Sequence, residues 1–192
     1  MITSGGIYSN NTLQERQINA TSIAYAGIQS KRSDTRVPCG PGGVLHDYVP
    51  FHFCPRSPML FANHHGRVQG YQRGQSEIVH LVSNVKQVQD LGQGCVFTDG
   101  HATMKFTHFY DDTDDLDKLD WEVIGSKIWN DTDVAPDRKR KKQAEFLVRS
   151  FFPWHLVLGI GVYGESQYEE VVRILAEAGT QTKVKVTPQW YY

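Results

Sequence analysis

A carboxylate beside a basic run is the feature of this sequence that most suggests chemistry. Glu145 stands directly before the apolar run FLV at 146–148, and five cations, RKRKK at 138–142, come just before it. Acidic side chains are rarely buried without a partner, so a carboxylate at the start of a core strand needs an explanation. It is either a strand-start carboxylate paired with Lys141 or Lys142, or a group at a cleft mouth that orients a sugar hydroxyl or accepts a proton.

An arginine between two prolines is the second candidate. It lies in the stretch HDYVPFHFCPRSPML at 46–60, whose aromatic and β-branched residues at 49–53 predict a strand. Pro55 and Pro58 each lack a backbone donor, so they predict a sharp turn after that strand. Arg56 would then lie on a stiffened turn at a strand end, where ligand contacts are common. The alternative is a surface turn with a solvated arginine.

Several site motifs are absent from the sequence. No GxGxxG follows a predicted strand, and there is no GxxxxGK[ST], HExxH or paired-cysteine motif, which excludes the dinucleotide-fold, P-loop and zincin classes. His64 and His65 are adjacent and lack a partner four residues away, so we expect loop histidines and no metal site. GIGVYG at 159–164 has the wrong spacing for a glycine loop and predicts a strand with close neighbours.

The composition limits the class of protein. With 192 residues and 40% hydrophobic content, the chain is long enough for one well-buried core, and we expect one domain over residues 1–192. A formal net charge of −1 means that any binding to nucleic acid must rest on local patches. Three cysteines at irregular spacing suit a reducing cytoplasm. No run approaches the ~18 apolar residues of a membrane span, so we expect a cytoplasmic protein without a membrane partner.

The periodicity predicts an α+β domain, because strands and helices are mixed without regular βαβ alternation. The polar region 12–36 is predicted to be a long loop with one or two helical turns. A helix is expected from Ser166, as N-cap with Glu169 in a capping box, to a stop at Gly179. Further elements are strands at 78–83, 94–100, 146–148 and 157–163, a short helix after Ser83 or Asn84, and an edge strand within 183–192.

Together these segments closely resemble the DarT family of toxin DNA ADP-ribosyltransferases. The resemblance is carried by GGVLHDYVPFHFCPRSPM at 42–59 and KKQAEFLV at 141–148, supported by GQSEIVHLVS at 74–83, and it covers nearly the whole chain. It implies a mono-ADP-ribosyltransferase fold, with two packed mixed or antiparallel sheets around an NAD cleft and peripheral helices. It also implies transfer of ADP-ribose from NAD to thymine in single-stranded DNA.

The resemblance also assigns roles to residues. Glu145 and Arg32 match the family's catalytic glutamate and arginine. These roles require that the two side chains, which are far apart in the sequence, lie close together in the fold. The region 21–37 matches the flap over NAD, and 109–143 matches the substrate loop. The implied NAD contacts are Gly6, Ser22, Arg32, Phe53 and Met59. The implied DNA contacts are Arg56, Tyr25, Arg138, Lys139 and Lys141. A basic run is more often a solvated face than a binding patch, and an aromatic residue such as Tyr25 or Trp129 is more often part of the core.

The N-terminus departs from the family pattern. Members usually open with a histidine-containing strand, and this chain is expected to start at the end of the helix that follows it, so that the first strand is lacking. Two alternatives therefore stay open: the same fold acting on guanine or a protein, and an inactive form that binds single-stranded DNA. The resemblance further implies an antitoxin partner with a macrodomain, similar to DarG.

Overall fold

A computed structural model describes residues 2–192 of the chain as a set of short strands and helices. The strands are β1 (Gly6–Tyr8), β2 (Tyr48–His52), β3 (His80–Val82), β4 (Cys95–Thr98), β5 (Phe109–Tyr110), β6 (Glu145–Arg149), β7 (Phe151–Pro153), β8 (Gly159–Val162) and β9 (Val184–Val186). The helices are α1 (Asn10–Glu15), α2 (Ala26–Asp34), α3 (Pro58–His64), α4 (Val85–Asp90), α5 (Trp121–Gly125), α6 (Arg138–Lys141) and α7 (Glu165–Glu177).

The strands form two main sheets and one small pair. The larger sheet is antiparallel with the order β2-β6-β4-β5, and the second has the order β3-β8-β9, in which β8 and β9 are parallel. Strands β1 and β7 form the antiparallel pair. The predicted α+β class with mixed and antiparallel sheets is therefore confirmed.

Strand β6 is the centre of the larger sheet, and its sequence EFLVR explains why. It pairs with β2 on one side and β4 on the other, so both its edges are hydrogen-bonded. Its first four residues are all buried. A strand covered on both faces tolerates apolar residues at successive positions, which is the pattern of FLV. The surrounding core includes Phe97, Val148, Phe152, Ile160, Val162 and Leu175.

Helix α7 follows the prediction in its body but not at its start. Val171 and Leu175 pack with residues of the second sheet, and Gly179 ends the helix with φ +66°. The helix begins after Gly164, which has no side chain to act as a cap, so the predicted cap by Ser166 is wrong. Ser166 is instead the second helical residue.

Three stretches contain helix beyond what the sequence predicted. Region 12–36, predicted to be a long loop with one or two helical turns, contains most of α1, which Ser9 caps, and the nine-residue helix α2. The predicted turn after Pro55 runs into α3, because Ser57 caps the helix and proline is well suited to its first position. Four of the five residues of the basic run form α6. None of the helices described over residues 2–192 is long and apolar enough to span a membrane.

The glycine at position 161 in β8 allows close approach of a neighbour, as predicted for this strand. A Cβ at Gly161 would lie 2.4 Å from the Trp190 ring and 2.7 Å from Oγ1 of Thr187. Both neighbours are held by hydrogen bonds of the following turn. The space between β8 and this turn therefore has no room for a side chain.

We predict that Gly161→Ala destabilises the protein by about 1–3 kcal/mol, because the added methyl group overpacks this contact. The free energy of unfolding from urea titration measures the effect. Gly27→Ala is the matched control: a Cβ there meets nothing within 4 Å, and alanine favours the helix, so stability should stay equal or rise by up to about 1 kcal/mol. Equal stabilities for Gly161→Ala and wild type would contradict the packing argument.

Candidate active site

The two residues expected to be catalytic meet in a buried ion pair. Arg32 lies in the last turn of α2, and Glu145 is the first residue of β6. Nη1 of Arg32 is 2.8 Å from Oε2 of Glu145, and the two side chains are only 9% and 5% exposed. The structure thus brings together groups that are 113 positions apart in the sequence.

The Glu145 carboxylate is held by a second donor and is ionised. Its Oε1 accepts a hydrogen bond from the Ala102 backbone N–H at 3.2 Å, and its own backbone N–H donates to Oγ1 of Thr98 at 3.1 Å. Burial is the largest single influence and raises the pKa of Glu145, but the charge and hydrogen bond of Arg32, together with His52 and His101, lower it by more, so the pKa lies below its ordinary value. The carboxylate is therefore both charged and fixed in position at neutral pH.

Arg32 keeps one donor group unused. Its Nη2 is buried and has no hydrogen-bond partner among the residues that the structure describes. The helix that carries it is positioned by a contact between Gln29 Oε1 and His46 Nε2, at 2.9 Å. Buried donors without partners are rare in folded proteins, so this N–H is well placed to meet a ligand oxygen.

A cavity of about 690 Å³ lies beside this ion pair. Its walls come from β2, from residues 78–85 around β3, and from Arg32 and His46. His52 also lines it and is the cross-strand neighbour of Glu145. A volume of this size is in the usual range for ligand sites. The cleft between the two sheets that the resemblance implies is therefore present. Arg32 of the ion pair lines it, whereas Glu145 is next to Arg32 and is not among the lining residues.

The five expected NAD contacts divide into two groups. Arg32, Phe53 and Met59 line the cavity, whereas Gly6 and Ser22 lie outside its lining. A Cβ at Gly6 would lie within 2.5 Å of both a backbone oxygen and an aromatic ring of the adjacent strand β7, so this glycine serves strand packing. Ser22 is exposed, and its Oγ accepts from a nearby backbone N–H. Contact of either residue with NAD stays a prediction.

Two cations of the basic run hold the preceding loop. Arg138 donates through Nη2 to Oγ of Ser126 at 3.0 Å and to the backbone oxygen of Ile128 at 2.7 Å. Lys142 is buried, and its Nζ donates to the backbone oxygens of Ile124 and Ser126. The alternative in which Glu145 pairs with a lysine of this run is therefore wrong for Lys142.

The other cations of the run differ in exposure. Lys141 pairs with Asp120 at 2.9 Å and so does not pair with Glu145 either, and Arg140 pairs with Asp99 at 2.7 Å. Lys139 has an exposed side chain. Arg138 and Lys141 already have partners within the protein, so Lys139 is the best placed of the three to contact a DNA phosphate. The DNA role of all three residues stays a prediction.

Arg56 is linked through Tyr192 to Trp129, in the region 109–143 that is expected to be the substrate loop. Its guanidinium carbon lies 4.4 Å from the centroid of the Tyr192 ring. The Tyr192 hydroxyl accepts a hydrogen bond from Nε1 of Trp129 at 2.9 Å and lies 3.1 Å from the Arg56 backbone oxygen. Tyr25 is 40% exposed at the start of α2. Contact of Arg56 and of Tyr25 with DNA stays a prediction.

Comparison with known proteins decides the family. A family model described as "DarT: ssDNA thymidine ADP-ribosyltransferase, DarT" matches residues 1–192. The chain belongs to the DarT family. A curated DNA ADP-ribosyl transferase from Thermus sp. (strain 2.9) is 47% identical over 173 residues, which cover 89% of this chain and 81% of the relative.

Solved DarT structures agree with this family membership. DarT of Thermus sp. 2.9 in complex with ADP-ribosylated ssDNA has a TM-score of 0.93 at 42% identity, with 100% of this chain and 89% of that chain covered. The same protein in complex with NAD+ has a TM-score of 0.89 at 40% identity, covering 100% and 90%. The expected ADP-ribosyltransferase fold and the activity on thymidine in single-stranded DNA are thereby confirmed.

His101 is a candidate site residue that the sequence did not reveal. Its Nδ1 accepts from both the backbone N–H and the hydroxyl of Thr103, so the ring proton is on Nε2. Burial and the charge of Arg32 lower the pKa of His101, and the charge of Glu145 only partly offsets this. His101 is therefore a neutral donor beside the ion pair. A lone histidine in a turn gave no signal in the sequence.

No group of three or more metal-ligating side chains occurs within residues 2–192.

We predict that Arg32→Ala costs about 3–5 kcal/mol of stability at pH 7, because it leaves the buried Glu145 charge without its counter-ion. Desolvation then raises the pKa of Glu145, so the variant should be less destabilised at pH 4, where the carboxyl is neutral. Urea unfolding at both pH values measures this.

The double variant Arg32→Ala/Glu145→Gln is the control for that experiment. It removes both charges, so it should be more stable at pH 7 than Arg32→Ala alone, and its stability should change less between pH 4 and pH 7. Equal pH dependence of the single and double variants would contradict the pairing.

We predict that Tyr192→Phe lowers the free energy of unfolding by about 1–2 kcal/mol, because Trp129 loses the acceptor for its indole N–H. It should also raise the KM for a single-stranded oligonucleotide, since Arg56 and the substrate loop lose their common anchor. Tyr163→Phe, at an exposed tyrosine outside this contact, is the control and should lie within about 0.5 kcal/mol of wild type. Unchanged KM and stability in Tyr192→Phe would rule out the anchor.

Proposed function

We propose that this chain transfers ADP-ribose from NAD to N3 of thymine in single-stranded DNA, with Glu145 and Arg32 as the catalytic residues. The observation that carries the proposal is the buried ion pair of these residues beside a cavity of about 690 Å³. A buried ion pair adds little net stability compared with apolar residues of the same volume, so its presence next to a cavity favours a catalytic role.

The cavity suits NAD as co-substrate. Its walls combine apolar side chains such as Phe53 and Met59 with the polar groups of Arg32, His46 and His52. Mostly apolar walls with a few placed polar groups are typical of sites for ligands of this size. NAD supplies the ADP-ribosyl group, which is joined to nicotinamide through the bond that breaks. No metal is required by this assignment.

Glu145 acts on the ribose side of the reaction. Its ionised carboxylate stabilises the positive charge that develops at the ribose carbon as nicotinamide leaves with the bonding electrons. A ribose hydroxyl can donate a hydrogen bond to the same group. The Ala102 N–H and the Arg32 guanidinium hold the carboxylate in place, so it needs no reorganisation as the charge develops.

Arg32 acts on the thymine side. Its unpartnered Nη2 donates to a carbonyl oxygen of the base and stabilises the negative charge that appears as the N3 proton leaves. That proton passes to the Glu145 carboxylate, and N3 forms the new bond to the ribose carbon. Arginine suits this role because it stays charged and offers a planar pair of donors to one base.

The remaining assignments follow the family resemblance. We assign NAD contacts to Gly6, Ser22, Phe53 and Met59, and DNA contacts to Arg56, Tyr25, Arg138, Lys139 and Lys141. The chain acts as one domain in the cytoplasm, where its DNA substrate is. Its partner is an antitoxin with a macrodomain that removes the modification.

The test uses purified protein, NAD and a thymine-containing single-stranded oligonucleotide. Wild type should add the mass of one ADP-ribose, and Glu145→Gln, which keeps the shape of the side chain, should lower kcat by about 10²- to 10³-fold or more. Arg32→Lys keeps the charge but loses the planar fork, so its activity should lie between wild type and Arg32→Ala. Mass spectrometry of the oligonucleotide measures the product.

A thymine-free oligonucleotide of equal length is the substrate control. An adduct on it would move the acceptor to another base, and an adduct on a protein alone would move it to a side chain. Undiminished product with Glu145→Gln would reject the assigned carboxylate. Salt-sensitive strand binding with no NAD turnover would instead support an inactive DNA-binding form.

A further inference from the structure

Phe106 is an unusually exposed aromatic residue close to the active site. It lies in the loop 99–108 between β4 and β5, and 81% of it is exposed. A phenylalanine in this position contributes almost nothing to the core, whereas burying it would gain about 1.5–3 kcal/mol. Single exposed apolar residues are common and are not sites by themselves. Phe106 differs from such residues because its loop is held by hydrogen bonds and because that loop contacts Glu145.

The loop that carries Phe106 is held in one conformation. The Met104 N–H donates to the His101 backbone oxygen at 2.9 Å, and the Thr107 hydroxyl donates to the same oxygen at 2.8 Å. Asp99 closes the base of the loop by accepting from the His108 N–H at 2.9 Å and by pairing with Arg140. An aromatic side chain on a fixed loop loses little entropy on binding a partner.

The loop contacts one member of the proposed catalytic pair. Ala102, on this loop, donates its N–H to the Glu145 carboxylate at 3.2 Å. No residue of 99–108 lines the cavity. The loop therefore contacts the carboxylate from outside the cavity, and a base that reaches Glu145 from this side would pass next to the loop. Phe106 is four residues beyond Ala102, at most about 15 Å along the chain, which is within reach of nucleotides next to the reacting one.

The charges around the loop suit a nucleic-acid strand. Lys105 is exposed beside Phe106, and Lys31 is exposed on α2 and close enough to lower the pKa of His101. Asp99, the acidic residue of the loop, is already paired with Arg140. Aromatic rings next to cations are the usual composition of single-strand binding surfaces, where bases stack and phosphates contact cations.

We propose that Phe106 stacks on a nucleobase flanking the target thymine and so positions the DNA strand for reaction. This inference rests on the proposed function and adds a substrate-positioning residue to it. Phe106 does not touch the reacting atoms in this assignment. It should act on the KM for DNA much more than on kcat.

The test compares Phe106→Ala, Phe106→Leu and Phe106→Trp with wild type. Phe106→Ala should raise the KM for the oligonucleotide, and the Kd measured by fluorescence anisotropy, by about 5- to 150-fold with little change in kcat. Phe106→Trp should restore binding, because it keeps an aromatic face, whereas Phe106→Leu should restore little. Val172→Ala, at an exposed apolar residue on α7, is the control and should match wild type.

A second arm places an abasic nucleotide at each position flanking the thymine in turn. At the position that stacks on Phe106, the abasic change should weaken binding to wild type but not weaken binding to Phe106→Ala any further. Equal affinity of wild type and Phe106→Ala, equal loss in Phe106→Trp and Phe106→Ala, or additive losses at every position would each overturn the inference. The anisotropy arm needs no turnover, so a failure of catalysis leaves this test intact.

Discussion

The buried contact between Arg32 and Glu145 is the interaction on which the site depends. It links the short helix α2, which has a polar sequence and few core contacts, to the central strand of the larger sheet. Helices of this length are marginal without tertiary contacts, so α2 owes its position to this ion pair and to the contact of Gln29 with His46. The same contact both places the arginine proposed to be catalytic and fixes the segment expected to cover NAD.

The ion pair also influences the protonation states of the groups around it. Burial lowers the pKa of His46 and of His101, and the charge of Arg32 lowers both further; Arg32, with His52 and His101, also keeps the pKa of Glu145 below its ordinary value despite burial. The result is one anion, one cation and neutral histidines within one small volume. Charge development in the reaction therefore meets fixed groups of the opposite sign, which is the main source of electrostatic catalysis.

The sequence predicted the parts of this arrangement that depend on local pattern. Strand β6 follows from the apolar run after Glu145, β8 from its glycines, and the end of α7 from Gly179. It predicted one or two helical turns within 12–36 but not the position or the nine-residue length of α2, because a helix with no apolar stripe has no periodicity to detect. The helix after Pro58 was missed because proline was taken as a breaker, although proline is favoured in a first helical turn.

The role of cations shows where sequence reasoning about a site reaches its limit. A run such as RKRKK has the same composition whether it meets phosphates or holds its own loop, and only the contacts separate the two. Here Arg138 and Lys142 donate to backbone oxygens within 124–128, and Arg140 and Lys141 pair with aspartates. Cations with internal partners release few counterions when DNA binds, and each phosphate contacted on a single strand contributes only about −0.7 to the salt slope. With a formal net charge of −1, the chain therefore has to obtain much of its hold on a single strand from shape and base stacking, which favours contacts with the bases near the reacting thymine over contacts along the backbone.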